Sequence, residues 1–159
     1  MEGQKKQNLT PQQALLKAAS YCAYQERCHD EVTEKLSEWG VYGDDAGNIL
    51  LKLIEQNYLN EERFAKAFAG GKFRVKKWGR IKIKLELKKR KISDYCIRKA
   101  MQQIDDTDYA KTIRDLIAKK SKEIKGGKEY IRKYKIAKFV ASRGFEQDLI
   151  WEILKLDEE

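Results

Sequence analysis

The feature that most constrains this chain is an apolar pattern that occurs three times. Val32, Leu36 and Val41 are spaced by four and five residues, and so are Ile83, Leu87 and Ile92, then Ile136, Val140 and Phe145. Beyond Val41 the next apolar residues fall at Ala46, Ile49, Leu50 and Leu53; the same offsets after Ile92 give Ile97, Ala100, Met101 and Ile104. After Phe145 they give Ile150, Ile153 and Leu154. The anchors Val41, Ile92 and Phe145 lie 51 and 53 residues apart. A period near fifty that keeps a helical hairpin in register marks tandem units stacked in a row. The expected fold is therefore all-α, with three tandem three-helix units forming an elongated, curved, right-angled stack of helices. The expected divisions are a flexible N-terminus 1–9, a first unit 10–57, a basic second unit 58–104, a third unit 105–156 and an acidic tail 157–159.

Local signals agree with helices. The chain has one proline, Pro11, and 37% of it is charged, a composition that favours long uninterrupted helices. Thr10-Pro11-Gln12-Gln13 reads as an N-cap, a proline at the first helical position and a capping box. A second helix opens at Cys28-His29-Asp30-Glu31, with acids in its first turn, and stops at Gly40. A third ends near Asn57. Asp105 to Asp108 cap a long helix from about Tyr109 to Ile124, and Gly126-Gly127 break it. One stretch disagrees: Ile81 to Lys88 alternates apolar and polar residues, which alone reads as a strand. Its Lys, Glu and Leu favour helix, and the register pairs Ile83 and Leu87 with residues in clear helices. As a helix it carries a second apolar strip, Ile81 and Leu85, available for packing between units or against a partner.

Enzyme chemistry finds little to hold. His29 is the single histidine and reads as a solvated or capping imidazole in a first helical turn. Cys22, Cys28 and His29 lack the fourth ligand and short knuckle of a zinc site, so no metal and no cofactor is expected. Ala69-Gly70-Gly71-Lys72 lacks the earlier glycine, the hydroxyl residue and the preceding strand of a phosphate loop; it reads as a helix break. Three cysteines without a CxxC spacing read as reduced thiols. No apolar run reaches membrane-spanning length and the N-terminus has no leader-like apolar core. The expectation is a cytoplasmic monomer with no membrane partner.

Charge is where function shows. Residues 61–104 carry 15 Lys/Arg against 4 acids, whereas residues 1–60 carry 6 against 9. Lys72 to Lys91 alone holds eleven Lys/Arg and one acid, Glu86. Such a run repels itself and calls for an anionic partner or water. In Lys72-Phe73-Arg74-Val75-Lys76-Lys77-Trp78-Gly79-Arg80 aromatics interleave with cations, the pairing that suits phosphates and unpaired bases. The expected DNA- or filament-binding surface comprises Lys72, Arg74, Lys76, Lys77, Trp78, Arg80, Lys84 and Lys88. Trp78 reads equally as a core residue, and Phe73 more as a buried one. Part of Lys88–Lys91 is structural, because the helix dipole favours cations at a C-terminus. A second basic stretch spans residues 111–143, with twelve Lys/Arg against three acids; within it Arg132 is not assigned to the surface.

Tyr58-Leu59-Asn60, Arg63-Phe64-Ala65, then Gly79, Ile83, Leu87 and Ile92 resemble the RecX family, small bacterial regulators of the RecA recombinase filament. Gly40 and Gly144 match the family's Gly-apolar turn, and Lys91 replaces that glycine in the middle unit. Asn60 stands where Asp is commoner and Cys28 where a Ser cap is usual, a weaker helix start; Ile81 and Leu85 occupy positions that are usually polar. The resemblance covers about residues 10 to 156. It implies a curved helical protein lying along the RecA filament groove, slowing or reversing filament growth and lowering ATPase and strand exchange. Its implied partners are the RecA filament and the phosphates of single- or double-stranded DNA. Tyr58, Phe64, Ile83 and Leu87 are then fold-makers rather than contacts. A general basic nucleic-acid-binding helical protein without a recombinase partner is the alternative.

Overall fold

The computed structural model describes residues 8–156. The flexible start expected for residues 1–9 lies outside them except for Asn8 and Leu9, and the acidic tail 157–159 lies outside them entirely. Nine helices are present among the described residues and no strand: α1 (Pro11–Tyr24), α2 (His29–Glu38), α3 (Gly43–Glu55), α4 (Glu61–Arg74), α5 (Arg80–Lys89), α6 (Asp94–Met101), α7 (Asp106–Glu123), α8 (Glu129–Ser142) and α9 (Gln147–Leu156). The alternating stretch Ile81–Lys88 lies within α5, so the triad register and not the local alternation decides its conformation.

The starts follow the expected chemistry. The Thr10 hydroxyl accepts from the Gln13 amide and the Gln13 side chain accepts from the Thr10 amide, at 3.2 and 3.1 Å. Asn60, Ser93 and Asp105 each accept from the amide three residues on, at 2.9, 3.3 and 2.9 Å. Capping by Asp105 starts α7 at Asp106, three residues earlier than expected. Leu9 is tied down, its amide donating to the Trp39 carbonyl at 3.0 Å.

The three triads make three copies of one turn. Trp39, Arg90 and Arg143 each donate an amide to the carbonyl three residues back, at 3.1 Å in every case. The next residues, Gly40, Lys91 and Gly144, have φ of 79°, 59° and 96°. Glycine enters this left-handed region freely, whereas a side chain makes it strained. Lys91 therefore keeps the turn at a steric cost that its two glycine counterparts avoid. All nine triad residues are buried.

The main helix packing falls within the triplets α1–α3, α4–α6 and α7–α9. The cores group differently. The first triplet buries its own cluster around Ala18, Leu36, Leu53 and Leu59. The second and third share one continuous core, running from Phe64 and Phe73 through Ile83, Leu87 and Tyr109 to Phe145 and Ile150.

Two sequence expectations change and two are refined. Gly70-Gly71 do not break a helix: both lie inside α4, which packs closely on α6 and buries the small residues Ala65, Ala69 and Gly70. Close helix approach needs small side chains, and that packing outweighs glycine's poor helix propensity. Cys28 is the N-cap of α2, its amide donating to the Glu31 carboxylate at 3.2 Å, and it has a second role: it is 1% exposed and belongs to the shared core of the second and third triplets. Burial pushes its thiol up to about 11, so it carries no thiolate chemistry at neutral pH. Tyr58 is not a buried fold-maker, since its side chain is on the surface and it is its carbonyl that accepts from Arg63, at 3.3 Å. The strip Ile81–Leu85 is exposed, whereas Ile83 and Leu87 are fully buried.

Two stability results follow from these placements. Leu87→Ala is expected to cost about 2–5 kcal/mol, the range for emptying a closed site. Leu85→Ala is expected to stay within about 1 kcal/mol. Equal shifts in denaturant midpoint would contradict the helix phase. A Cβ at Gly71 meets nothing within 4 Å, so Gly71→Ala should raise stability by about 0.5–1 kcal/mol; a lower melting temperature would show that α4 does not run through it.

Candidate nucleic-acid interface on the middle unit

The basic run folds as the end of α4, a turn and α5. The turn closes when the amides of Lys77 and Trp78 donate to the carbonyls of Phe73 and Lys72, both at 3.1 Å. Lys77 takes φ 58° there. Phe73 is buried, its ring centroid 5.7 Å from that of Tyr109. Arg74, Val75, Lys76 and Lys77 are exposed, so the turn presents three cations around one apolar side chain.

Trp78 is half-buried, edge-on to Phe68 with centroids 6.4 Å apart. The ammonium groups of Lys72 and Lys82 lie 4.9 and 4.4 Å from its ring centroid. The indole is thus a platform for two cations, and a base would have to compete with them to stack on it. Nothing in the sequence sets Lys82 apart from the other lysines of the run; only the fold brings it to this ring. Lys72 also borders a groove between the first and second triplets, facing Glu26, Glu31 and Arg90.

Along α5, Lys84 and Lys88 form one exposed row, a turn apart, beside the exposed Ile81 and Leu85. Lys89 and Arg90 instead pair with Glu86, at 3.3 and 3.1 Å. Those two hydrogen bonds hold the Glu86 carboxyl below its ordinary range. The single acid of the run is therefore engaged at the C-terminal end of α5, leaving Lys76, Lys77, Lys84 and Lys88 unneutralised among the described residues.

Arg80 does not belong with them. Its guanidinium lies 3.9 Å from the Tyr109 ring centroid and binds Glu146 at 3.1 Å and Asp106 at 2.6 Å. Its amide donates to the Tyr109 hydroxyl at 3.0 Å, and that hydroxyl donates to Glu146. Burial, then the Glu146 contact, pushes the Tyr109 phenol well above the ordinary range. With two carboxylates on its guanidinium, Arg80 joins the middle and third triplets, and its charge is offset where those of the exposed lysines are not. The long sequence separation of these partners hid the network from sequence reading.

Beside that network the backbones meet. Gly79 donates its amide to the Arg143 carbonyl at 2.8 Å, and Ile81 donates to Gly144 at 3.0 Å. A basic helix with no acid in its first turn and no side-chain cap is thus capped by the turn between α8 and α9. Arg132 is also structural: it donates to the carbonyls of Ile124 and Ser121, at 2.9 and 2.6 Å, closing the end of α7.

Three tandem three-helix units, a cation-rich middle one and backbone docking between the last two define a class of helical repeat proteins. The second three-helix domain of RecX matches residues 60–101 and the third matches residues 106–154, together more than half of the chain. The protein belongs to the RecX family. It is 31% identical over 137 residues to the regulatory protein RecX of Lactobacillus johnsonii, covering 86% of this chain and 50% of that one. This chain thus spans about half the length of that relative. Against the regulatory protein RecX of Prosthecochloris aestuarii it is 28% identical over 141 residues, covering 89% and 91% of the two chains. The crystal structure of RecX from Lactobacillus salivarius superposes with a TM-score of 0.83 at 25% identity, covering 94% of this chain and 97% of that one. Among the described residues no helix is long and apolar enough to cross a membrane.

Proposed function

We propose that this protein is a non-enzymatic regulator that binds the RecA nucleoprotein filament and restrains its extension, ATPase and strand exchange in DNA repair and recombination. The observation that carries the reading is the row of unneutralised cations on the middle unit. Arg74, Lys76, Lys77, Lys84 and Lys88 are exposed, and Lys72 stands by on Trp78. A charged row on an extended helical repeat suits a long groove better than a small substrate. A filament supplies such a groove, lined by DNA phosphates and acidic protein surface. Ile81 and Leu85, exposed beside Lys84 and Lys88, add an apolar contact that suits protein rather than phosphate. The chain acts as a cytoplasmic monomer in this reading and uses no cofactor.

Salt separates this from the general nucleic-acid binder. Binding to bare DNA should weaken with a log–log slope of about −0.7 to −0.9 per phosphate contacted. Filament binding should persist at salt that abolishes binding to bare DNA, because the contacts of Ile81 and Leu85 add affinity that does not depend on counterion release. Loss of filament and bare-DNA binding together at the same salt would contradict the proposal and favour the alternative.

A further inference from the structure

The third unit carries an aromatic face that the middle-unit surface does not use. On α8, Tyr130 and Tyr134 are one turn apart and 68% and 61% exposed. Lys138 continues their row, while Ile131 and Lys135 form the row beside it, all on the exposed side of the helix. Tyr134 and Lys138 also line a groove whose other wall, on α9, includes Trp151. Glu129 is the one acid in α8; Asp148 and Glu152 are exposed on α9.

What sets these two rings apart from the chain's other exposed tyrosines is that they share one helix row with flanking lysines, an arrangement that offers stacking faces and phosphate partners together. We propose that the α8–α9 face binds single-stranded nucleic acid, with Tyr130 and Tyr134 stacking on unpaired bases and Lys135 and Lys138 meeting the adjacent phosphates. A helical turn advances about 5.4 Å, so two rings one turn apart present successive stacking surfaces to an extended strand. A duplex hides its base faces inside its own stack and offers these rings nothing. Trp78 differs in this respect, because its ring already carries two ammonium groups. The site stands apart from the filament proposal, since it requires no recombinase.

The test compares two labelled single strands of equal length by fluorescence anisotropy, an oligothymidylate and an abasic strand with the same phosphates, with the full chain and no recombinase. The unaltered protein should bind the oligothymidylate at least about tenfold more tightly, as base–aromatic stacking predicts. Y130A/Y134A should remove that preference and leave abasic binding within about twofold, while Y130F/Y134F, which keeps both rings, should retain it. Thermal melting of both variants should match the unaltered protein. Equal affinity of the unaltered protein for the two strands overturns the proposal. So does a Y130A/Y134A variant that keeps its preference for bases. Unchanged DNA binding together with altered sedimentation in that variant would also overturn it, and would show that the tyrosines cover a second copy of the chain.

Discussion

Gly79→Val is expected to lower the stability of the joined second and third units by about 3–5 kcal/mol, among the largest single-site effects in this chain. A Cβ at Gly79 would lie 2.2 Å from the Gly144 carbonyl oxygen, 2.3 Å from its carbon and 2.4 Å from the Phe145 nitrogen. All three atoms are backbone, so no rotamer change relieves the clash. Gly144 is closed from the other side: its own Cβ would fall 2.4 Å from that of Lys82. The helix and the turn must therefore separate. That breaks the Gly79–Arg143 and Ile81–Gly144 hydrogen bonds and pulls Arg80 from Glu146 and Tyr109. Losses of this size come from strain and unsatisfied polar groups acting together. The first unit has its own core, so its transition should move less. Denaturant unfolding read by circular dichroism checks this, and a change under about 1 kcal/mol would mean that the two backbones do not dock.

The second large effect is on binding. Reversing Lys77→Glu together with Lys84→Glu should weaken filament binding by at least about a hundredfold while melting stays within about 0.5 kcal/mol. Both side chains are exposed, and two reversals change the local charge by four units. Lys77 sits at φ 58°, but glutamate bears the same left-handed strain as lysine, so the turn gains no new strain. Since Lys84 pairs with no acid among the described residues, its reversal abolishes no internal contact. Filament binding measured by light scattering or co-sedimentation decides the outcome. Unaltered binding would reduce the basic row to a solvated surface.

The helical order was legible because it rests on short-range chemistry. Caps such as Thr10–Gln13 and triads such as Ile83–Leu87–Ile92 lie within a few residues of one another, so their spacing carries the information. Even the substitution of Lys91 for glycine was visible, though its φ of 59° was not. What stayed hidden depends on partners far along the chain. Arg80 looks like any cation of the basic run until Asp106, Tyr109 and Glu146 are brought to it. Cys28 looks like a poor cap until the neighbouring unit's core closes over it. Gly70-Gly71 resembled a break because propensity is local, whereas the close packing of α4 on α6 is not. Charge density points to the exposed lysines and the helix dipole sets part of Lys88–Lys91 aside as structural, but neither shows that Lys89 and Arg90 pair with Glu86 while Lys84 does not. The α8 tyrosines do not stand out in the sequence because the third unit is nearly neutral as a whole, its acids lying toward the two ends.

The most direct measurement is the ATPase rate of preformed RecA filaments on single-stranded DNA, titrated with this protein at physiological salt. A regulator seated in the filament groove should slow turnover at well below one copy per recombinase protomer, and the Lys77→Glu, Lys84→Glu form should lose that effect. Slowing only at stoichiometric coating of the DNA, or undiminished inhibition by the double reversal, would contradict the account.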